Sequence, residues 1–149
     1  MNTLTNSISP PRTSPVPKAR IWTGRALTAL PVLFLLFDSA IKLVKIQPVT
    51  DAFVQLGFPD ELARGIGVLE LVCTVLYAVP STSVLGAILL TGLFGGAMAS
   101  HLRVGDPWLS HILFSIYLAV PMWLGLYLRE ERLHALLPLR TRRELRGAS

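Results

Sequence analysis

Four stretches of this chain, about 26–46, 62–79, 83–102 and 108–128, are apolar enough to enter a bilayer and long enough to cross one. No other feature constrains the fold as much. In hydrocarbon every backbone amide must be paired within the chain, so each stretch must be a helix. The expected fold class is therefore all-α, an integral membrane four-helix bundle whose first partner is the lipid bilayer. Composition agrees, with 52% of the 149 residues hydrophobic and 15% charged, and a mean hydropathy of +0.55.

The net charge of +5 is unevenly placed. Residues 1–25 carry four basic groups and no acid, residues 129–149 carry six basic and three acidic, and the middle sums to −2. Basic ends around apolar spans form the positive-inside pattern, which predicts a multi-pass protein of the cytoplasmic (inner) membrane with both termini cytoplasmic. No basic stripe with interleaved aromatics occurs, so nucleic acid is not an expected partner. Cys73 is the single cysteine, which excludes an internal disulfide, a CxxC redox pair and a cysteine-built metal site. Set in an apolar run, it reads as an inert packing thiol.

The domains follow from the punctuation. Residues 1–20, rich in Ser, Thr, Asn and Pro, read as a disordered N-terminal tail and not as a cleaved signal peptide. Residues 21–128 form the bundle. Its first span (26–46) should carry Pro31 in its opening turns. The 47–60 segment is too polar and short to cross. Pro48 should open a short interfacial helix there, Val49, Phe53 and Leu56 should form its apolar side, and Gly57 should end it. Asp60 reads as the N-cap of the second span, and Asp106 as the N-cap of the fourth with Pro107 at its first position. Pro80-Ser81-Thr82-Ser83 makes a tight turn with a hydroxyl cap, so the second and third spans should be antiparallel neighbours. On the third span Ser83, Ala87, Thr91, Gly95 and Ala99 recur every four residues beside Gly92, Gly96 and Ser100. Such ridges admit a second backbone closely, either within the bundle or across a homodimer. Pro121 marks a kink in the fourth span. Residues 129–149 alternate Leu with Arg and Glu, as a basic amphipathic C-terminal tail on the membrane surface would.

Glu70 stands in Gly65-Ile66-Gly67-Val68-Leu69-Glu70-Leu71-Val72-Cys73, a run otherwise fit for lipid. A carboxylate there costs roughly 2.5–3.5 kcal/mol on insertion scales, so it should face the interior and find a partner. With a rise of about 1.5 Å per residue, Asp38 and Glu70 both lie roughly 13 Å below the same surface. Lys42, His101 and His111 lie nearer that surface, so every span sends a titratable group to one half of the bundle. Glu70, Asp38, Lys42 and His101 are thus the candidate catalytic or polar-site residues, with His111 and Arg103 as candidates to hold a cofactor. The bland alternative is a self-satisfied Asp38–Lys42 pair at i,i+4, with Lys45 and Arg103 as interfacial anchors and the histidines solvated near helix ends. Neither His101 nor His111 has a second ligand at i,i+3 or i,i+4, so no metal is expected. No HExxH, phosphate-binding glycine loop or nucleophile elbow occurs.

Several blocks resemble the DoxX-like family of small membrane proteins. They are Phe34-Leu35-Leu36-Phe37-Asp38-Ser39-Ala40-Ile41-Lys42-Leu43, Leu56-Gly57-Phe58-Pro59, Gly65-Ile66-Gly67-Val68-Leu69-Glu70-Leu71 and Gly95-Gly96-Ala97-Met98-Ala99-Ser100-His101-Leu102-Arg103-Val104-Gly105. The similarity runs over about 21–140, and Asp106-Pro107-Trp108 looks like a variant of the family's usual turn. The resemblance implies a four-helix membrane bundle more than it implies an activity. Relatives include the quinone-reducing subunit of thiosulfate:quinone oxidoreductase, which suggests quinone as cofactor and partner redox subunits. Three function classes stay open: a quinone- or redox-linked membrane subunit, a non-catalytic accessory or assembly protein, and a proton-coupled small-molecule carrier. Whether the chain is an enzyme is left open by the sequence.

Overall fold

A computed structural model describes residues 18–130 together with Leu133, and among them every regular element is helical. In order these are α1 (Lys18–Val44), α2 (Gln47–Gln55), α3 (Leu62–Ala78), α4 (Ser83–Val104), a π-helical turn (Trp108–Ile112) and α5 (Phe114–Arg129). The expected tail up to residue 17, and most of the expected amphipathic C-terminal segment, lie outside the described residues. The long helices form a closed ring in the order α1, α3, α4, α5, so α1 stands diagonally across from α4.

Among the described residues three helical stretches, Trp22–Val44, Ser83–Val104 and Trp108–Arg129, are long and apolar enough to cross a membrane. The fourth member, α3, is shorter at 17 residues, at the low end of the length needed. Its outward stripe is just as apolar, with Val68, Leu69, Val72 and Val75 all about half exposed. Leu30, Leu33 and Phe37 on α1 form a similar stripe at helical spacing. In water such stripes would be buried; here lipid is the solvent that accepts them.

Pro31 sits in the middle of α1 and is buried, not in the opening turns. The helix starts at Lys18, and the stretch apolar enough to cross a membrane starts at Trp22, before the expected boundary at residue 26. The Thr82 hydroxyl also departs from expectation. It donates to the Leu76 carbonyl at 2.8 Å, closing the end of α3, and makes no cap bond to α4.

Three helices end at the α2 end of the bundle with one motif. A left-handed residue (Lys45, Gly57 or Gly105) follows α1, α2 or α4 respectively. The next amide returns to a carbonyl five residues back: Ile46 to Ile41, Phe58 to Phe53, Asp106 to His101. These reversals satisfy the last carbonyls and fold the following side chain onto the helix. Thus Phe58 lies on Phe53, with ring centroids 6.4 Å apart. Val49 and Phe53 bury the inner face of α2 against Ala63 at the start of α3.

At the opposite end the packing is much closer. A Cβ on Gly86 would lie 2.2 Å from the Tyr77 amide nitrogen, and one on Gly125 would lie 2.8 Å from the Thr28 hydroxyl. Tyr77, with 0% exposure, donates from its phenol to the Met122 carbonyl at 2.9 Å. Met122, Leu126 and Leu90 complete this plug with no exposure of their own. The guanidinium of Arg129 stacks over the Tyr77 ring at 5.3 Å.

Candidate functional site

The geometry of the site starts at Gly67. A Cβ there would lie 2.9 Å from the Lys42 Cβ and 3.3 Å from the Ser39 carbonyl oxygen, so the missing side chain lets α3 lie flush against α1. Ser39 is fully buried at this contact and turns its hydroxyl back to the Leu35 carbonyl at 2.6 Å. Glu70 follows Gly67 by one turn on the same face, and Asp38 precedes Lys42 by one turn. The Lys42 ammonium lies between them, donating to Asp38 Oδ2 and to Glu70 Oε2 at 2.5 Å each. Glu70 is 1% exposed. Two carboxylates share one cation.

Above this trio the ring of helices encloses a cleft of about 860 Å³. All five helices contribute to its wall, which is mostly apolar, and Phe34, Phe94, Phe114 and Leu118 supply much of it. The α2 helix covers one end through Val49 and Phe53. Asp38, Lys42 and Glu70 line it from one side, His101 and His111 from another, and the Cys73 thiol is part of the wall. The trio and the histidines are thus brought to a single space.

His101 and His111 pack with ring centroids 5.4 Å apart. His101 Nδ1 faces Asp106 Oδ2 at 2.6 Å, and the Gln55 amide of α2 donates to Asp106 Oδ1 at 3.3 Å. Asp106 therefore does not cap the fourth span. Pro107 takes the cap position with no side-chain bond, because the reversal at Gly105 turns Asp106 back over the last turn of α4. Nothing local in the sequence signals this role; only the five-residue spacing across a glycine hints at it. Asp60 likewise makes no cap bond to α3, whose cap position is Glu61. It pairs with Lys45 at 2.6 Å, and that hydrogen bond holds its carboxyl below the usual aspartate range.

Arg103 is not part of the cleft wall. Its guanidinium donates to the Leu56 carbonyl and lies 5.7 Å from the Phe58 ring centroid, tying the end of α2 to α4. His111 meets the Ser110 hydroxyl at 2.8 Å. Among the described residues no group of three His, Cys, Asp or Glu side chains is placed to hold a metal ion.

The profile of the DoxX-like family matches residues 26–125, a segment containing all four long helices' cores and the whole cleft. Neither the curated proteins nor the solved structures contain a match to this chain.

Proposed function

This chain belongs to the DoxX-like family of membrane proteins, and we propose that its cleft binds a lipophilic ring compound of the quinone type, in the service of a redox-linked membrane subunit. One observation carries the reading: an apolar space of about 860 Å³, large enough for a substituted ring and the start of a tail, is walled on one side by three charged groups. Ligand sites of this size combine apolar bulk with a few convergent polar groups. In this reading Asp38, Lys42 and Glu70 orient the polar edge of the ring, and His101 with His111 flank the way in. The protein lies in the cytoplasmic (inner) membrane with both termini cytoplasmic, so the cleft opens toward the far side. Labelling of single cysteines in the 102–107 turn and at the C-terminus tests that orientation.

A proton-coupled carrier would need water to reach Glu70 from both ends. The plug of Tyr77, Met122 and Leu126 argues against that. An accessory or assembly role draws on a different observation. The small-residue ridge of α4 is buried at Ser83 and Ala87, but a Cβ at Gly95, which is not part of the cleft wall as Gly92 and Gly96 are, would meet nothing within 4 Å. A second copy, or a partner subunit, would find that half of the ridge open.

Purification from native membrane with mass analysis of the bound small molecules, followed by titration with decylubiquinone in lipid nanodiscs, tests the proposal. Co-purified quinone or saturable binding supports it. A clean protein that takes up no quinone would leave the accessory reading in its place.

A further inference from the structure

We propose that the cleft has a second mouth, opening sideways into the lipid between α3 and α4, and that the apolar tail of the bound ring lies in it. The class of ligand is then a membrane-resident ring lipid with an alkyl or prenyl chain, and not a small ring delivered from water. The inference rests on the reading that the cleft accepts a lipophilic ring. Its ground is the phase of α4. Phe94 is buried in the core and lines the cleft. Gly92 and Gly96 stand two residues to either side of it, and at about 100° per residue they lie almost opposite it round the helix axis. Both are exposed, a Cβ on either would meet nothing within 4 Å, and both nevertheless line the cleft. A space walled by opposite faces of one helix is not wholly interior, so the cleft continues round the edge of α4 to its outer side. Leu69 and Leu89 complete this edge. Each lines the cleft while being 52% and 42% exposed respectively, Leu69 as a member of the outward stripe of α3.

Two contacts place the opening. The backbones of α3 and α4 meet at Gly86, where no Cβ fits against Tyr77, and that contact bounds the mouth at one end. On the other edge of α4 the Trp123 indole donates to the Thr91 hydroxyl at 3.0 Å, which joins the seam between α4 and α5. Gly92 and Gly96 lie near the middle of Ser83–Val104, so the mouth faces hydrocarbon and not water. Leu69, Leu89, Gly92, Leu93 and Gly96 offer it no side-chain polar atom. A polar group lodged there would lose its hydration without gaining a partner, whereas an alkyl chain loses nothing. Such a chain exchanges lipid contacts for protein contacts of the same kind, so it contributes selectivity more than affinity. Leu69 adjoins Glu70 in the chain, and the polar wall and the mouth are therefore neighbours. A ring held at the Asp38–Lys42–Glu70 side keeps its tail in the bilayer, apart from the way in past His101 and His111.

The test compares decylubiquinone with duroquinone, a ring without a tail. Each is titrated calorimetrically into the full chain in lipid nanodiscs and corrected for partition into empty discs. Gly92→Phe and Gly96→Phe fill the mouth from positions where a side chain meets open space, so the fold should be spared. Each should weaken decylubiquinone binding about tenfold or more, as overpacking an occupied site implies, and leave duroquinone within about threefold of native. Gly95→Phe, on α4 but outside the cleft wall, should leave both probes unchanged. Decylubiquinone binding that survives both mouth substitutions would overturn the inference, because the gap would then hold only bulk lipid chains or a second copy. An equal loss for the two probes would also overturn it, as a disturbed cleft without a tail channel. In both cases the ring-binding reading stands. A decyl quinone bearing a diazirine midway along its chain gives a readout on the native protein. Labels at Leu69, Leu89 or Leu93 support the mouth, and labels confined to α2 or the His111 turn overturn it. Failure of both probes to bind the native protein would overturn this inference and the ring-binding reading together.

Discussion

The two ends of this bundle are built from the same four helices and hold together by different means. Where α3 turns into α4, backbones touch: Gly86 lies against Tyr77, and Gly125 against Thr28. At the α2 end α1 and α3 still touch at Gly67, but the other helices stand apart around the cleft, and charged links join the elements. Lys42 ties α1 to α3, Lys45 ties the end of α1 to the start of α3, and Arg103 ties α4 to the end of α2. Dispersion at close contact needs no particular chemistry, only small residues in register. A hollow end has surrendered much of that contact, and two ion pairs and a charge-assisted hydrogen bond link its elements instead. The difference marks which end is free to admit a ligand.

The most severe test of the contrast is Lys42→Met. It removes the cation from two carboxylates, one of them buried, and should destabilise the protein by about 3–5 kcal/mol. Thermal unfolding in detergent measures this. Lys42→Met combined with Glu70→Gln should recover a large part of the loss, because the stranded buried charge is then gone. If the single variant melts like the native protein, the hollow end does not depend on its ion pairs.

Next in size is a matched pair of glycine substitutions on α4. Gly86→Ala drives a Cβ into the Tyr77 backbone, which cannot give way as a flexible side chain would. It should cost about 1–3 kcal/mol or more by overpacking. Gly95→Ala meets open space and should be neutral, or gain up to about 1 kcal/mol from helix propensity. Equal effects at the two positions would erase the distinction between closed and hollow ends. A loss at Gly95 alone would instead reveal a neighbour on the open ridge.

The smallest expected effect concerns the outermost link. Lys45 holds the Asp60 carboxyl below its ordinary range through their hydrogen bond. A group whose folded pKa is depressed contributes stability that is complete above its unfolded pKa and fades as pH falls through the folded one. Native protein should therefore melt slightly above Asp60→Asn at about pH 6, and the two should converge as the pH drops below about 4. The link is solvent-exposed, so a large difference would show that it supports more of the fold than its exposure suggests.

Much of the architecture is legible in the residues because hydrocarbon leaves the backbone few options. Runs of apolar residues broken by Pro80, Gly105 and Pro107 suffice to read four helices, and the cost of an ionised group in lipid suffices to turn Glu70 inward. A fixed rise per residue also brings Asp38 and Glu70 to one depth. Other roles were not legible, since they depend on distances between segments remote in the chain. Asp60 and Asp106 have the spacing of helix caps, yet both are drawn to basic or imidazole partners that the reversals at Lys45 and Gly105 bring near. Arg103 reads as an anchor or cofactor ligand, and becomes a tie to Leu56 because α2 folds back over the bundle. The volume of the cleft, which Glu70 helps to line, has no signature in the sequence. Hydropathy and helical rise act along one segment at a time, whereas an empty space exists only between segments. Its size is set by which pairs of helices can touch, and here Gly86, Gly125 and Gly67 decide that, after the chain has packed.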